Sequence, residues 1–140
     1  MSLLDDQIIR SSLLQAWAES KPGTFEAHEE GGFILRDTDG ALRVERWPRG
    51  GQNEIFVPLH PGGKRGDATI VATFHTHPNV GPDFQQEPSL TDIRAVRDDA
   101  ELSHAEFEGE YVISHEQVYR IETDGRVRTI GETKTVLKID

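Results

Sequence analysis

Cysteine is absent from the 140 residues. That excludes a disulfide framework, a thiol nucleophile and any cysteine-based zinc finger, and it leaves His, Asp and Glu as the side chains able to bind a metal. Positive charge is scarce: 15 Lys and Arg stand against 25 Asp and Glu, a formal net charge of −10. Such a surface repels phosphate backbones, so nucleic acid is not expected as a direct partner. No apolar run is long enough to span a bilayer, and no repeat or low-complexity tract occurs. The opening residues MSLLDDQII lack a basic segment and carry acids where the apolar stretch of a signal peptide would run. These absences predict a soluble chain, cytoplasmic where made and without a membrane partner. The length suits a single domain over residues 1–140 and is too short for a TIM barrel.

What is present reads as alternating helix and strand signals. Apolar residues Ile9, Leu13, Ala16 and Trp17 recur at helical spacing, so Leu3 to Glu19 is expected to form an amphipathic helix that Lys21-Pro22-Gly23 ends. Phe33-Ile34-Leu35 and Leu42-Arg43-Val44 flank Asp37-Thr38-Asp39-Gly40, a hairpin signal entered through Glu29-Glu30-Gly31-Gly32. Pro48 to Gly66, with glycines at both ends, is expected to be a flexible flap around one short strand, Ile55-Phe56-Val57. Ala68 to Phe74 is nearly all apolar and belongs in the middle of a sheet, buried on both faces. Ser89 to Leu102 then carries Leu90, Ile93, Val96 and Ala100 on one helical stripe. Three further strands are expected at Tyr111-Val112-Ile113, Val118 to Ile121 and Val127 to Ile130, the last two joined by Thr123-Asp124-Gly125. The order predicts an α/β (α+β) domain with a mixed sheet packed by helices.

The chemistry concentrates between Phe74 and Asp92, FHTHPNVGPDFQQEPSLTD. In an extended strand His75 and His77 point to one face, because side chains alternate with a period of two. Pro78 stops the ladder just after them, so both rings lie at a strand end. Ser89 has the position of a helix N-cap, and Asp92 falls one turn later on the same side. A zinc hydrolase needs three protein ligands and one open position, and His75, His77 and Asp92 meet that count. The plainer reading makes His-Thr-His a polar strand end and Ser89-Leu90-Thr91-Asp92 a capping box; capping and catalysis are compatible. A general base is also required, and Glu29 and Glu30 are the candidates, with a solvated acidic turn as their alternative. His28, His60, His104 and His115 read as surface or turn residues. Arg49, Lys64 and Arg65 read as part of a solvated flap rather than an anion cradle.

These residues together resemble the JAMM metalloprotease domain (the MPN+ family), in its prokaryotic JAB-like form. Glu29-x-x-Gly32-Phe33-Ile34-Leu35, His75-Thr76-His77-Pro78 and Ser89-Leu90-Thr91-Asp92 match the family pattern in order, and the match runs from Glu29 to about Leu102. The resemblance implies a cytidine-deaminase-like JAB/MPN fold, Zn²⁺ bound by His75, His77 and Asp92, Glu29 as general acid/base and Ser89 as a hydrogen-bond donor to the oxyanion. It also implies a metallopeptidase or isopeptidase acting on a protein or peptide, including a ubiquitin-like conjugate or a fused protein. A non-catalytic binding module on the same fold and a zinc hydrolase of small amides are the competing functions. One departure stands out: eleven residues separate His77 from Ser89, more than the family's usual spacing, so the loop Asn79 to Pro88 beside the metal is enlarged.

Overall fold

The computed structural model describes residues 2–81 and 84–139. A 3-10 turn, Leu3–Asp5, leads into helix α1, Gln7–Glu19, whose N-cap Asp6 accepts hydrogen bonds from the N–H groups of Ile8 and Ile9. The expected stripe is the buried one: Ile9, Leu13, Ala16 and Trp17 all face the sheet. Strands β1, Gly31–Arg36, and β2, Leu42–Arg46, form the hairpin, with Gly40 at φ +90 in its turn. Strand β3, Lys64–Arg65, precedes β4, Ala68–Thr76. Helix α2, Leu90–Arg97, follows, then β5, Glu110–Ile113, β6, Gln117–Ile121, β7, Val127–Glu132, and a last turn of helix α3, Thr133–Val136.

The strands make one seven-stranded mixed sheet in the order β2-β1-β4-β5-β6-β7, with β3 paired to β4. β4 and β5 are parallel and every other pair is antiparallel. A parallel pair needs a crossover, and the segment carrying α2 supplies it. β4 lies between β1 and β5 and is buried along nearly its whole length, as its composition predicts. One face of the sheet packs on α1 through Ile34, Phe74, Tyr111 and Ile113; the other packs on α2 through Phe33, Leu35, Ile70 and Val112. Ile34 pairs with Ala72 and Leu35 with Ile70, leaving Val71 as the extra residue of a bulge. The bulge shifts the alternation of β4, so Ile70 and His75 both reach the α2 face.

Two expectations are corrected. Ile55-Phe56-Val57 forms no strand; the only pairing strand of the 48–66 segment among the described residues is β3, held to β4 across Gly66. Pro58 lacks the N–H a ladder needs, and Gly50 and Gly51 are already paired with the backbone of Glu29. Ile55 instead tucks against the α2-side core, while Phe56 and Val57 stay exposed. The second helix is shorter than Ser89 to Leu102. It ends at Arg97, and Asp99 caps a separate 3-10 turn, Ala100–Leu102, by accepting the Glu101 N–H at 2.9 Å. Leu90 and Ala100 therefore leave the stripe for solvent, and Ile93, Val96 and Leu102 do the packing. No helix of the described residues is long and apolar enough to cross a membrane.

Candidate metal centre

His75 lies in the last turn of pleat of β4, and His77 continues the strand direction by donating its N–H to the carbonyl of Ile113 at 2.8 Å. Pro78 then diverts the chain. Both rings reach the α2 face, their centroids 4.9 Å apart. From the opposite side comes the N-terminus of α2. Ser89 Oγ accepts the Asp92 N–H at 3.0 Å, and Asp92 Oδ2 accepts the Ser89 N–H at 2.8 Å. This capping box is also what presents Asp92 to the histidines.

The ligand atoms of His75, His77 and Asp92 all lie within 4.8 Å of one another. His75 Nε2 and His77 Nε2 are 3.1 Å apart, His75 Nε2 is 3.5 Å from Asp92 Oδ1, and His77 Nε2 is 3.2 Å from Asp92 Oδ2. A tetrahedral zinc with ligands at about 2.0–2.1 Å has ligand–ligand edges of about 3.3–3.4 Å, so these three atoms already have the spacing of one face of its coordination shell. The other nitrogens are committed. His77 Nδ1 lies 3.0 Å from the carbonyl oxygen of Gln86, which can only accept, so Nδ1 carries the proton. His75 Nδ1 lies 2.5 Å from Glu110 Oε1. With both Nδ1 atoms donating, both Nε2 lone pairs converge with a carboxylate on one point. Only a cation or an added proton makes that arrangement favourable.

Electrostatics at His75 and Asp92 agree. Burial opposes charge on His75, but the carboxylates of Glu110 and Asp92 outweigh it and push its pKa well above the ordinary imidazole value. Burial would likewise raise Asp92, yet hydrogen bonds from His75 and His77 hold its carboxyl far below the usual carboxylate range. The donor set, two imidazole nitrogens and a carboxylate oxygen, could hold a divalent metal ion.

Glu29 and Glu30 separate sharply. Glu29 is buried and shares a polar cavity of about 120 Å³ with His77, Ser89 and Asp92. Its backbone is fixed on both sides, N–H to the Gly51 carbonyl at 2.8 Å and carbonyl from the Gly50 N–H at 2.9 Å. Burial raises its pKa; His75 and His77 act in the other direction and Asp92 and Glu110 reinforce the rise. Glu30 points away. Its Oε2 is 2.6 Å from His28 Nε2, its Oε1 is 2.5 Å from Arg46, and Arg46 also reaches Glu19 at 3.0 Å.

Among the remaining histidines, His28 departs from expectation. His28 is not a surface residue but a buried partner of Glu30. His60, His104 and His115 are half-buried; His60 pairs with Asp99 at 2.7 Å, and His115 Nε2 lies 2.7 Å from the Pro78 carbonyl. Arg65 is taken up by Glu45 at 2.8 Å and covers the Phe33 ring, so it cradles no anion. Pro82 and Asp83, inside the loop Asn79 to Pro88, lie outside the described residues. Within the rest of that loop, Gln86 donates its side-chain amide to the Asn79 carbonyl at 2.5 Å while its own carbonyl holds His77. Gln86 and Glu110 were not singled out in the sequence. No periodicity or motif marks them, because only the sheet register and the loop path bring them to the histidines.

No family model matches the chain, and no curated protein or solved structure resembles it significantly.

Proposed function

We propose that the chain is a zinc-dependent peptidase or isopeptidase of the JAMM type, built on the JAB/MPN-like fold its sequence resembles. The observation that supports this reading most strongly is the convergence of two imidazole lone pairs and the Asp92 carboxylate within 4.8 Å, beside a buried carboxylate that is free to work. A bound zinc supplies Lewis acidity, polarising a scissile carbonyl and making water nucleophilic near neutral pH. Glu29 takes a proton from the attacking water and delivers it to the leaving amine. Its desolvated position makes it a stronger base than an exposed carboxylate. Ser89 Oγ already accepts the Asp92 N–H, so its own hydrogen is available to donate to the developing oxyanion. His75, His77 and Asp92 would hold the metal. A surface at −10 draws basic protein or peptide substrates, and the family resemblance adds ubiquitin-like conjugates and fused proteins.

The limited volume directly at the ligands, about 120 Å³, favours hydrolysis of a small amide as the second reading. One experiment separates the alternatives. Protein purified without chelators is expected to carry one zinc per chain by elemental analysis. It is then assayed on ubiquitin-like conjugates, short peptides and small amides, with and without a zinc chelator. Chelator-sensitive cleavage of the conjugates or peptides is expected. Turnover confined to small amides would reject the peptidase assignment, and zinc without any turnover would favour a binding module. Glu29→Gln should keep its zinc and lose activity by several orders of magnitude. Glu30→Gln should keep its turnover number but lose about 1–3 kcal/mol of stability, because its partners His28 and Arg46 are left imperfectly paired.

A further inference from the structure

Glu110 heads β5. The parallel register pairs Thr73 with Glu110 and His75 with Val112, so Glu110 occupies the same sheet face as His75, one pleat back along the strands. Its side chain is only 10% exposed, and Oε1 stands 2.5 Å from His75 Nδ1. Both cavities that open on the ligand side chains are lined by Glu29 and Asp92, one of them also by Glu54 and Glu110, and neither by a Lys or Arg among the described residues. A carboxylate buried beside two others is costly unless a cation compensates it, and an apolar residue would cap the strand more cheaply.

We propose that Glu110 is a positioning residue of the metal centre: by accepting the Nδ1 proton it fixes the tautomer and ring plane of His75 and makes Nε2 a stronger electron donor to the metal. The inference rests on the metal-site reading above. It also makes the two histidines inequivalent. His75 is held by an anionic partner embedded in the sheet, whereas His77 is held by a neutral carbonyl on the loop. An outer partner of this kind tunes affinity without touching the metal.

The test compares the wild-type chain with Glu110→Gln and Glu110→Asp. Zinc affinity is read by competition with a chromophoric chelator, and Co²⁺-loaded protein is read by its visible absorption bands. Glu110→Gln is expected to raise the zinc Kd about 10–100-fold and to shift the Co²⁺ bands, and Glu110→Asp to recover part of the loss. A merely structural strand cap would lower thermal stability but leave the Co²⁺ bands in place. A folded Glu110→Gln with wild-type Kd and spectrum overturns the proposal; if that variant does not fold, an unchanged Kd and spectrum in Glu110→Asp overturns it. Failure of the wild-type chain to bind either metal would remove the metal reading itself, whereas wild-type binding with indifferent variants removes only the role of Glu110.

Discussion

At the residue scale the site is a problem of proton placement. In the metal-free chain His75 has a raised pKa, so its ion pairs with Glu110 and Asp92 contribute fully below the ordinary imidazole value and are lost as pH rises through the raised one. Asp92 has a lowered pKa, so its contribution is present above the ordinary carboxylate range and is lost as pH falls through the depressed value. Both contributions are therefore present together between those limits. Zinc needs His75 neutral, and so binding within that window must expel the proton that His75 holds. Calorimetric titration of zinc at pH 7 in two buffers of different ionisation enthalpy should reveal release of about one proton per metal. Equal heats in the two buffers would show that His75 is already neutral in the free chain and that its carboxylate partners do not act as described.

At the element scale the centre is assembled where three chain ends meet: the exit of β4, the start of α2 and the entry to β1. The entry is the least regular of the three, and it is held by glycine. A Cβ on Gly50 would lie 2.6 Å from the Glu54 carbonyl oxygen and 2.7 Å from that of Glu29, both backbone atoms that cannot step aside. Gly51 is different, since its nearest neighbour would be the flexible Glu54 side chain at 3.5 Å. Gly50→Ala should accordingly cost about 1–3 kcal/mol, move Glu29 and lower kcat with zinc content unchanged. Gly51→Ala should be tolerated. Urea unfolding and kcat measured on the pair check this, and equal behaviour of the two variants would mean that Gly50 does not set the position of Glu29. The loop after His77 is likewise a fixture at one point, because Gln86 holds the Asn79 carbonyl and orients His77.

At the scale of the whole molecule, the sheet is sandwiched between two cores, and His75, His77 and Asp92 meet on the side of one of them. β4 belongs to both cores, so order at the site and order in the sheet are coupled. Helix α1, on the far face, is tied to the site's side of the sheet through Glu19, Arg46, Glu30 and His28. A ligand that binds only the folded chain stabilises all of it. Zinc at about 100 times its Kd should add about 2.7 kcal/mol and raise Tm by roughly 6–12 °C, as a single transition. Scanning calorimetry with and without zinc measures this; an unchanged Tm would mean that the three ligands do not bind the metal in the folded state.

The local features were legible in the residues because short-range rules govern them. Period-two alternation puts His75 and His77 on one face, Ser-x-x-Asp makes a capping box that carries Asp92, the 3.6-residue stripe of α1 buries, and Asp-Gly turns close the β1–β2 and β6–β7 hairpins. Where the same rules misled, a competing hydrogen bond decided the outcome: the Gly50 and Gly51 pairing with distant Glu29 before Ile55-Phe56-Val57, and the local Asp99 cap beyond Arg97. Other choices lay beyond any local rule. Glu29 and Glu30 are adjacent and chemically alike, and only the Thr76 contact 46 residues away, with His28 and Arg46 claiming Glu30, turns Glu29 toward the cavity. Glu110 meets His75 across 35 residues by strand register alone. The sequence by itself determined which side chains share a face within one element; the tertiary structure decided which acids those faces meet, because strand register and loop path are fixed by the summed packing of the whole sheet.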